Sequence, residues 1–84
     1  EGPSLEKLNK DLAKAPENLV ILFKITDLYF ANNNFESCFE MLLSYYPKNK
    51  EKIKDKMLGY FNVLGFDHKT TILYRKKLSS MMFA

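Results

Sequence analysis

The chain has 84 residues, 46% hydrophobic and 27% charged side chains, and a net charge of +3. That balance describes one small globular domain and excludes a disordered or collagen-like chain. One cysteine and one histidine exclude an internal disulfide, a cysteine-based zinc site and a paired-histidine metal site.

No apolar run approaches the roughly 18–20 residues of a membrane span, and no signal-peptide pattern opens the chain. The first residue is Glu1, not Met. Residues 1–4 therefore read as a tag or linker remnant, and residues 5–84 as the folded domain of a longer protein. A domain this small buries only about 60–65% of its unfolded surface. Its seven Phe and five Tyr supply large rings for a thin core. Charge is unevenly spread. Residues 1–47 carry four lysines against seven carboxylates, a net of −3, and residues 48–84 carry nine cations against three, a net of +6. Such polarity favours an acidic partner at the C-terminal end.

Leu5, Leu8 and Leu12 repeat on one helical face and predict a first helix over about 5–15, with Ser4 as its N-cap. Pro16 suits the opening of a second helix, over about 16–31, with Glu17 favoured in its first turn and Ala15 a poor cap. Leu19 to Phe30 are apolar almost all round, the pattern of a helix sandwiched between others. Asn32-Asn33-Asn34 breaks the chain, and Asn33 with Glu36 has the spacing of a capping box. A third helix follows over about 35–46, with Phe35, Cys38, Phe39 and Leu42 inward and Pro47 as its stop. Ile53, Met57, Tyr60, Phe61 and Leu64 form the cleanest stripe in the chain and mark a fourth helix over about 50–64. Gly59 inside it suggests a close helix contact, and Gly65 a C-terminal stop. Asp67 is the expected cap of a fifth helix over about 68–82. There Tyr74, Leu78, Met81 and Met82 run beside Arg75-Lys76-Lys77. Five helices with short connections predict an all-α fold of antiparallel neighbours.

The second and third helices are more specific. Leu22, Ile25, Thr26, Tyr29, Phe35, Cys38, Leu42 and Tyr45 follow the spacing that resembles a tetratricopeptide repeat, with Thr26 and Cys38 at its small positions. Asn33 stands where that repeat usually has Gly, Tyr45 where a small residue is usual, and Pro47 about three residues early. The C-terminal third, Phe61-Asn62-Val63-Leu64-Gly65-Phe66-Asp67 and then Tyr74-Arg75-Lys76-Lys77-Leu78-Ser79-Ser80-Met81-Met82-Phe83, resembles the end of the chaperedoxin family. Those are bacterial proteins with a thioredoxin-like domain followed by a tetratricopeptide-like one. The resemblance spans about Leu5 to Phe83 and departs at Lys69-Thr70-Thr71, where the family often has Pro and apolar residues. It implies a five-helix tetratricopeptide-like domain of a cytoplasmic co-chaperone. The implied partners are unfolded client proteins, the chaperonin or the Hsp70 system, and a parent thioredoxin-like domain. No Cys-x-x-Cys lies in these residues, so any redox chemistry of the parent belongs elsewhere.

The residues themselves offer no enzyme and no cofactor site. Cys38 lies on an apolar face and reads as a small packing residue rather than a redox sensor. His68 has no nucleophile or carboxylate in a recognisable motif and reads as a helix-start residue. Glu36 and Glu40, one turn apart, read as a solvated face. No phosphate-cradling glycine loop or nucleophile elbow occurs. The best binding candidates are Arg75, Lys76, Lys77, Leu78, Met81, Met82 and Phe83, a basic and apolar surface suited to a groove on an acidic partner. The alternative reading is that the helix seals the core, with Tyr74 and Leu78 inward and the terminal residues outward. The competing function is a basic nucleic-acid-binding or general scaffolding module, with Lys48 to Lys56 and Arg75 to Lys77 on phosphates. No helix-turn-helix or RNA-binding signature supports it. A basic amphipathic last helix also raises a membrane-surface reading, which is not adopted.

Overall fold

The computed structural model describes residues 4–83. It contains α1 (Leu5–Lys14), α2 (Leu19–Ala31), α3 (Phe35–Tyr45), α4 (Lys50–Leu64) and α5 (Lys69–Met82), with a 3-10 turn at Tyr46–Lys48. No strand occurs among the described residues, so the expected all-α, five-helix class is the class found. Of the expected remnant at residues 1–4 only Ser4 is described, and Ala84 also lies outside the described residues.

Hydrogen bonding at the helix ends sets the boundaries. Ser4 caps α1 as expected, its Oγ accepting the Lys7 amide at 3.1 Å. The second helix starts later than Pro16. Residues 15–17 form a bend and turn, and Asn18 Oδ1 accepts the Ile21 amide at 3.2 Å. A side-chain acceptor at Asn18 offers what Ala15 cannot, so the cap moves three residues on. At the other end Asn33 has φ 63°. The Asn33 amide donates to Phe30 O at 3.0 Å and the Asn34 amide to Tyr29 O at 2.8 Å, the two bonds of a Schellman motif. Asn33 thus terminates α2 instead of opening a capping box. The Cys38 amide donates to Asn34 O, so Asn34 is the flanking residue from which α3 starts at Phe35.

Pro47 stops α3 one residue before the expected end, with Tyr46–Lys48 tightened into the 3-10 turn. At the end of α4, Gly65 has φ 97° and ψ 151°, a backbone region open essentially to glycine alone. The chain then turns, with the His68 amide donating to Gly65 O. His68, not Asp67, caps α5: its Nδ1 accepts the Thr70 amide at 3.1 Å. The imidazole lone pair does here what a carboxylate was expected to do.

Contacts divide the chain into two units, Glu1–Cys38 and Phe39–Ala84, with the division inside α3. In the first, α1 packs on α2. Leu8, Leu12, Leu22, Ile25, Thr26 and Cys38 are buried. Each large aliphatic side chain so placed contributes about 1.5–3 kcal/mol. Thr26 is tolerated in this core because its hydroxyl donates to Phe23 O on its own helix. The expected sandwiching of α2 is not what the first unit shows: α1 packs on α2, and Val20 is exposed. Phe30 and Phe35 pack across the Asn turn with ring centroids 5.2 Å apart.

The second unit is built on Phe39, fully buried among three other rings. Tyr74 of α5 stacks on it at 4.9 Å, Phe61 of α4 lies at 5.3 Å, and Tyr60 meets it edge-on at 5.8 Å. Leu42, Leu43, Tyr46, Ile53, Met57, Thr71 and Leu78 complete this core. Thr71 is the exception to good satisfaction, because its buried Oγ1 has no hydrogen-bond partner among the described residues. Gly59 does not mark a close helix contact: a Cβ built there meets nothing within 4 Å.

The two glycines should respond in opposite directions to alanine. Gly59→Ala should stabilise by up to about 1 kcal/mol, through helix propensity alone. Gly65→Ala should destabilise by about 1–3 kcal/mol, through backbone strain alone, since space is open there as well. Urea unfolding at pH 7 reads both. In the same assay Thr71→Val should stabilise by about 1 kcal/mol, because it removes an unsatisfied buried hydroxyl at constant shape.

Candidate partner-binding surface

Tyr74, Thr71 and Leu78 face the core, which fixes the outward face of α5. Leu78 is only 4% exposed and so stands on the inner side of the sequence-derived set. Met81 is half-buried. Met82 and Phe83 are exposed, Phe83 at 85%. Arg75, Lys76 and Lys77 are all exposed. The seven candidates therefore divide: six reach solvent wholly or in part, and Leu78 anchors the helix that carries them.

Lys77 is engaged within the chain. Its Nζ donates to Glu40 Oε2 at 2.7 Å, and Tyr74 Oη donates to the same oxygen at 3.0 Å. The ammonium also lies 5.1 Å from the Tyr74 ring centre. This cluster ties α5 to α3. The hydrogen bond from Lys77 lowers the Glu40 pKa below its ordinary value; partial burial opposes the shift, and the Tyr74 hydrogen bond and the Lys77 charge add to it. Glu36 and Glu40 are both exposed, as expected of a solvated face, and Glu40 in addition bonds across to α5. Local spacing rules see only neighbours three or four residues apart, and Glu40 and Lys77 are separated by 37 residues. An open groove of about 470 Å³ runs beside the cluster, lined by Glu40, Leu43, Ser44, Lys77, Ser80 and Met81.

Arg75 takes a different position. Its guanidinium carbon lies 5.4 Å from the ring centre of Phe66, a residue 63% exposed in the α4–α5 turn. Sequence reading missed Phe66 as a surface residue; its place between Gly65 and Asp67, outside both helical stripes, is the signal that marks it. The basic run of α4 is partly covered, since Lys56 rests 5.0 Å from the Tyr60 ring centre and Lys54 pairs with Glu51 at 3.8 Å.

Cys38 is fully buried and His68 serves as a cap. No group of three or more His, Cys, Asp or Glu side chains among the described residues is placed to hold a metal ion. No helix among them is long and apolar enough to cross a membrane. The surface presents cations, apolar side chains and hydroxyls on one helix.

A family model described as a tetratricopeptide repeat matches residues 1–83. Comparison with curated proteins gave no match, and comparison with solved structures gave none.

Acidification tests the Glu40 cluster. A carboxylate whose pKa is lowered by folding stabilises the protein above its unfolded-state value and loses that contribution as pH falls through its folded-state value. Glu40 and Lys77 are both nearly half exposed, so the contribution is screened to at most about 1 kcal/mol. Glu40→Gln should therefore lower stability slightly at pH 7, and the gap to the parent chain should close below the carboxylate range. Urea unfolding at pH 7 and pH 3 measures it.

Proposed function

The chain belongs to the tetratricopeptide repeat family, and on that premise we propose that it is a non-catalytic protein-binding domain of a thioredoxin-like co-chaperone. Tetratricopeptide domains are protein-interaction modules, and five of the repeat positions here are core positions, although Asn33, Tyr45 and Pro47 depart from the pattern. Leu22, Ile25, Thr26, Cys38 and Leu42 are all fully buried, with the small pair Thr26 and Cys38 among them. The observation that carries the binding role is the outward end of α5. Met82 and Phe83 leave large apolar side chains in solvent at the end of the helix that carries Arg75 and Lys76, a surface that a protein partner would cover.

In this reading the domain, residues 5–84, sits in a cytoplasmic bacterial protein beside a thioredoxin-like domain. It holds unfolded clients or docks on the chaperonin or the Hsp70 system. Arg75, Lys76, Lys77, Met81, Met82 and Phe83 form the contact surface, with Leu78 beneath them. Support for the chaperone partners comes from the likeness of residues 61–83 to the chaperedoxin C-terminal pattern. The nucleic-acid alternative draws on the net +6 of residues 48–84.

Binding of the 84-residue chain to purified chaperonin and to purified Hsp70 tests the proposal. Point variants are preferable to truncation after Lys77, which would remove the core residue Leu78. Phe83→Ala and Met82→Ser should each weaken capture by about threefold to tenfold, with unchanged unfolding midpoints. Binding that these variants leave unchanged moves the contact elsewhere on the helical surface. Failure to bind either chaperone, with salt-sensitive capture of nucleic acid instead, overturns the co-chaperone function.

A further inference from the structure

The groove between α3 and α5 is fastened at one end only. Its α3 wall is Glu40, Leu43 and Ser44, and its α5 wall is Lys77, Ser80 and Met81. At the fastened end one carboxylate oxygen of Glu40 accepts from Lys77 Nζ at 2.7 Å and from Tyr74 Oη at 3.0 Å. One turn further along each helix the walls are not joined. Ser44 Oγ donates to Met41 O of its own helix at 2.6 Å, and no hydrogen bond links Ser44 to Ser80 among the described residues. Leu43 is buried and Met81 half-buried, so apolar packing alone holds this end.

Nothing on α5 competes with Glu40 for the ammonium. The neighbours of Lys77 one turn away are Leu73, Tyr74, Ser80 and Met81, and the helix carries no Asp or Glu. Tyr74 holds the ammonium over its ring, and its own ring is fixed by stacking on Phe39. The fastening therefore sits on a rigid base, immediately before the turn that presents Met81, Met82 and Phe83. We propose that Glu40 is the positioning residue of the α5 contact surface. It straps α5 to α3 through Lys77 and Tyr74, and breaking the strap lets the end of α5 move off α3 and opens the groove over Leu43 and Met81. The inference rests on the protein-binding reading and adds how the surface is held. Lys77 serves that surface by fastening the helix, and a fastened helix loses less freedom on binding. Both partners are nearly half exposed, so salt weakens the strap.

Nitroxide labels at Ser44→Cys and Ser80→Cys, with Cys38→Ala to remove the native thiol, report the groove width by pulsed electron spin resonance. The distance distribution should be narrow in the parent chain and roughly twice as broad with Glu40→Gln or in 1 M NaCl. Glu36→Gln, the same charge change at an exposed site on the same helix, should leave it narrow. Exchanging the charges, Glu40→Lys with Lys77→Glu, should restore most of the narrowing. In the unlabelled chain the Lys77 ammonium protons should give a nuclear magnetic resonance signal that Glu40→Gln abolishes. Glu40→Gln and Lys77→Gln should each weaken chaperone capture by about twofold to threefold, and the double variant no further. A width and a Lys77 signal indifferent to Glu40→Gln would overturn the strap. So would capture that is unchanged or strengthened by Glu40→Gln, or losses from the two single variants that add in full. Strap-dependent width in a chain that captures neither chaperone overturns the co-chaperone reading and leaves the strap standing.

Discussion

The second half of the chain depends on one buried ring. Phe39 is the point at which α3, α4 and α5 meet, stacked by Tyr74 and flanked by Phe61 and Tyr60. A domain of this size has little apolar volume to spare, and one aromatic that touches three others concentrates contact energy where few side chains are available. The rings also fix rotation. Stacking Tyr74 on Phe39 settles which side of α5 faces inward, and every other residue of that helix follows at 100° steps. Arg75 and Lys76 point outward because Tyr74 points in.

Polar contacts then refine what the rings begin. Tyr74 carries its hydroxyl past the edge of the core to Glu40, and Lys77, three residues on, reaches the same oxygen. The cluster uses one of the three consecutive cations of α5 for internal attachment. A second, Arg75, lies over Phe66, and a third, Lys76, projects into solvent. Three adjacent basic residues thus do three different things, and composition alone treats them as one run.

The helices and most of the core were legible in the sequence because both follow from apolar periodicity. Leu8 and Leu12, the Ile53–Phe61 stripe and the glycine stop at Gly65 all lie where spacing puts them. Caps were legible only where one candidate stood alone, as at Ser4. Near Asn18 and His68 two or three residues compete within one turn, and the winner is decided by which lone pair reaches an amide, a matter of ångströms rather than of residue type. The Asn triplet was recognised as a break, but its middle residue went to ending α2 rather than to starting α3, since a left-handed backbone is needed there. The surface was half legible. The inward place of Leu78 follows from its distance to Tyr74, whereas the Glu40–Lys77 bond and the seat of Arg75 on Phe66 join parts of the chain that no local pattern connects.

The burial of Leu78 has a consequence for how α5 opens. It is the last side chain of the helix held firmly by the core, and Met81, Met82 and Phe83 follow on a turn whose contacts are partial or absent. Opening free energies in a folded protein grade from near zero at such ends to the full unfolding energy at the core. Amides after Leu78 accordingly belong to the fast-exchanging end of that scale, and those around Tyr74 to the slow end. Rearrangement after Leu78 therefore costs the core little, while Leu78 keeps the rest of the helix in register.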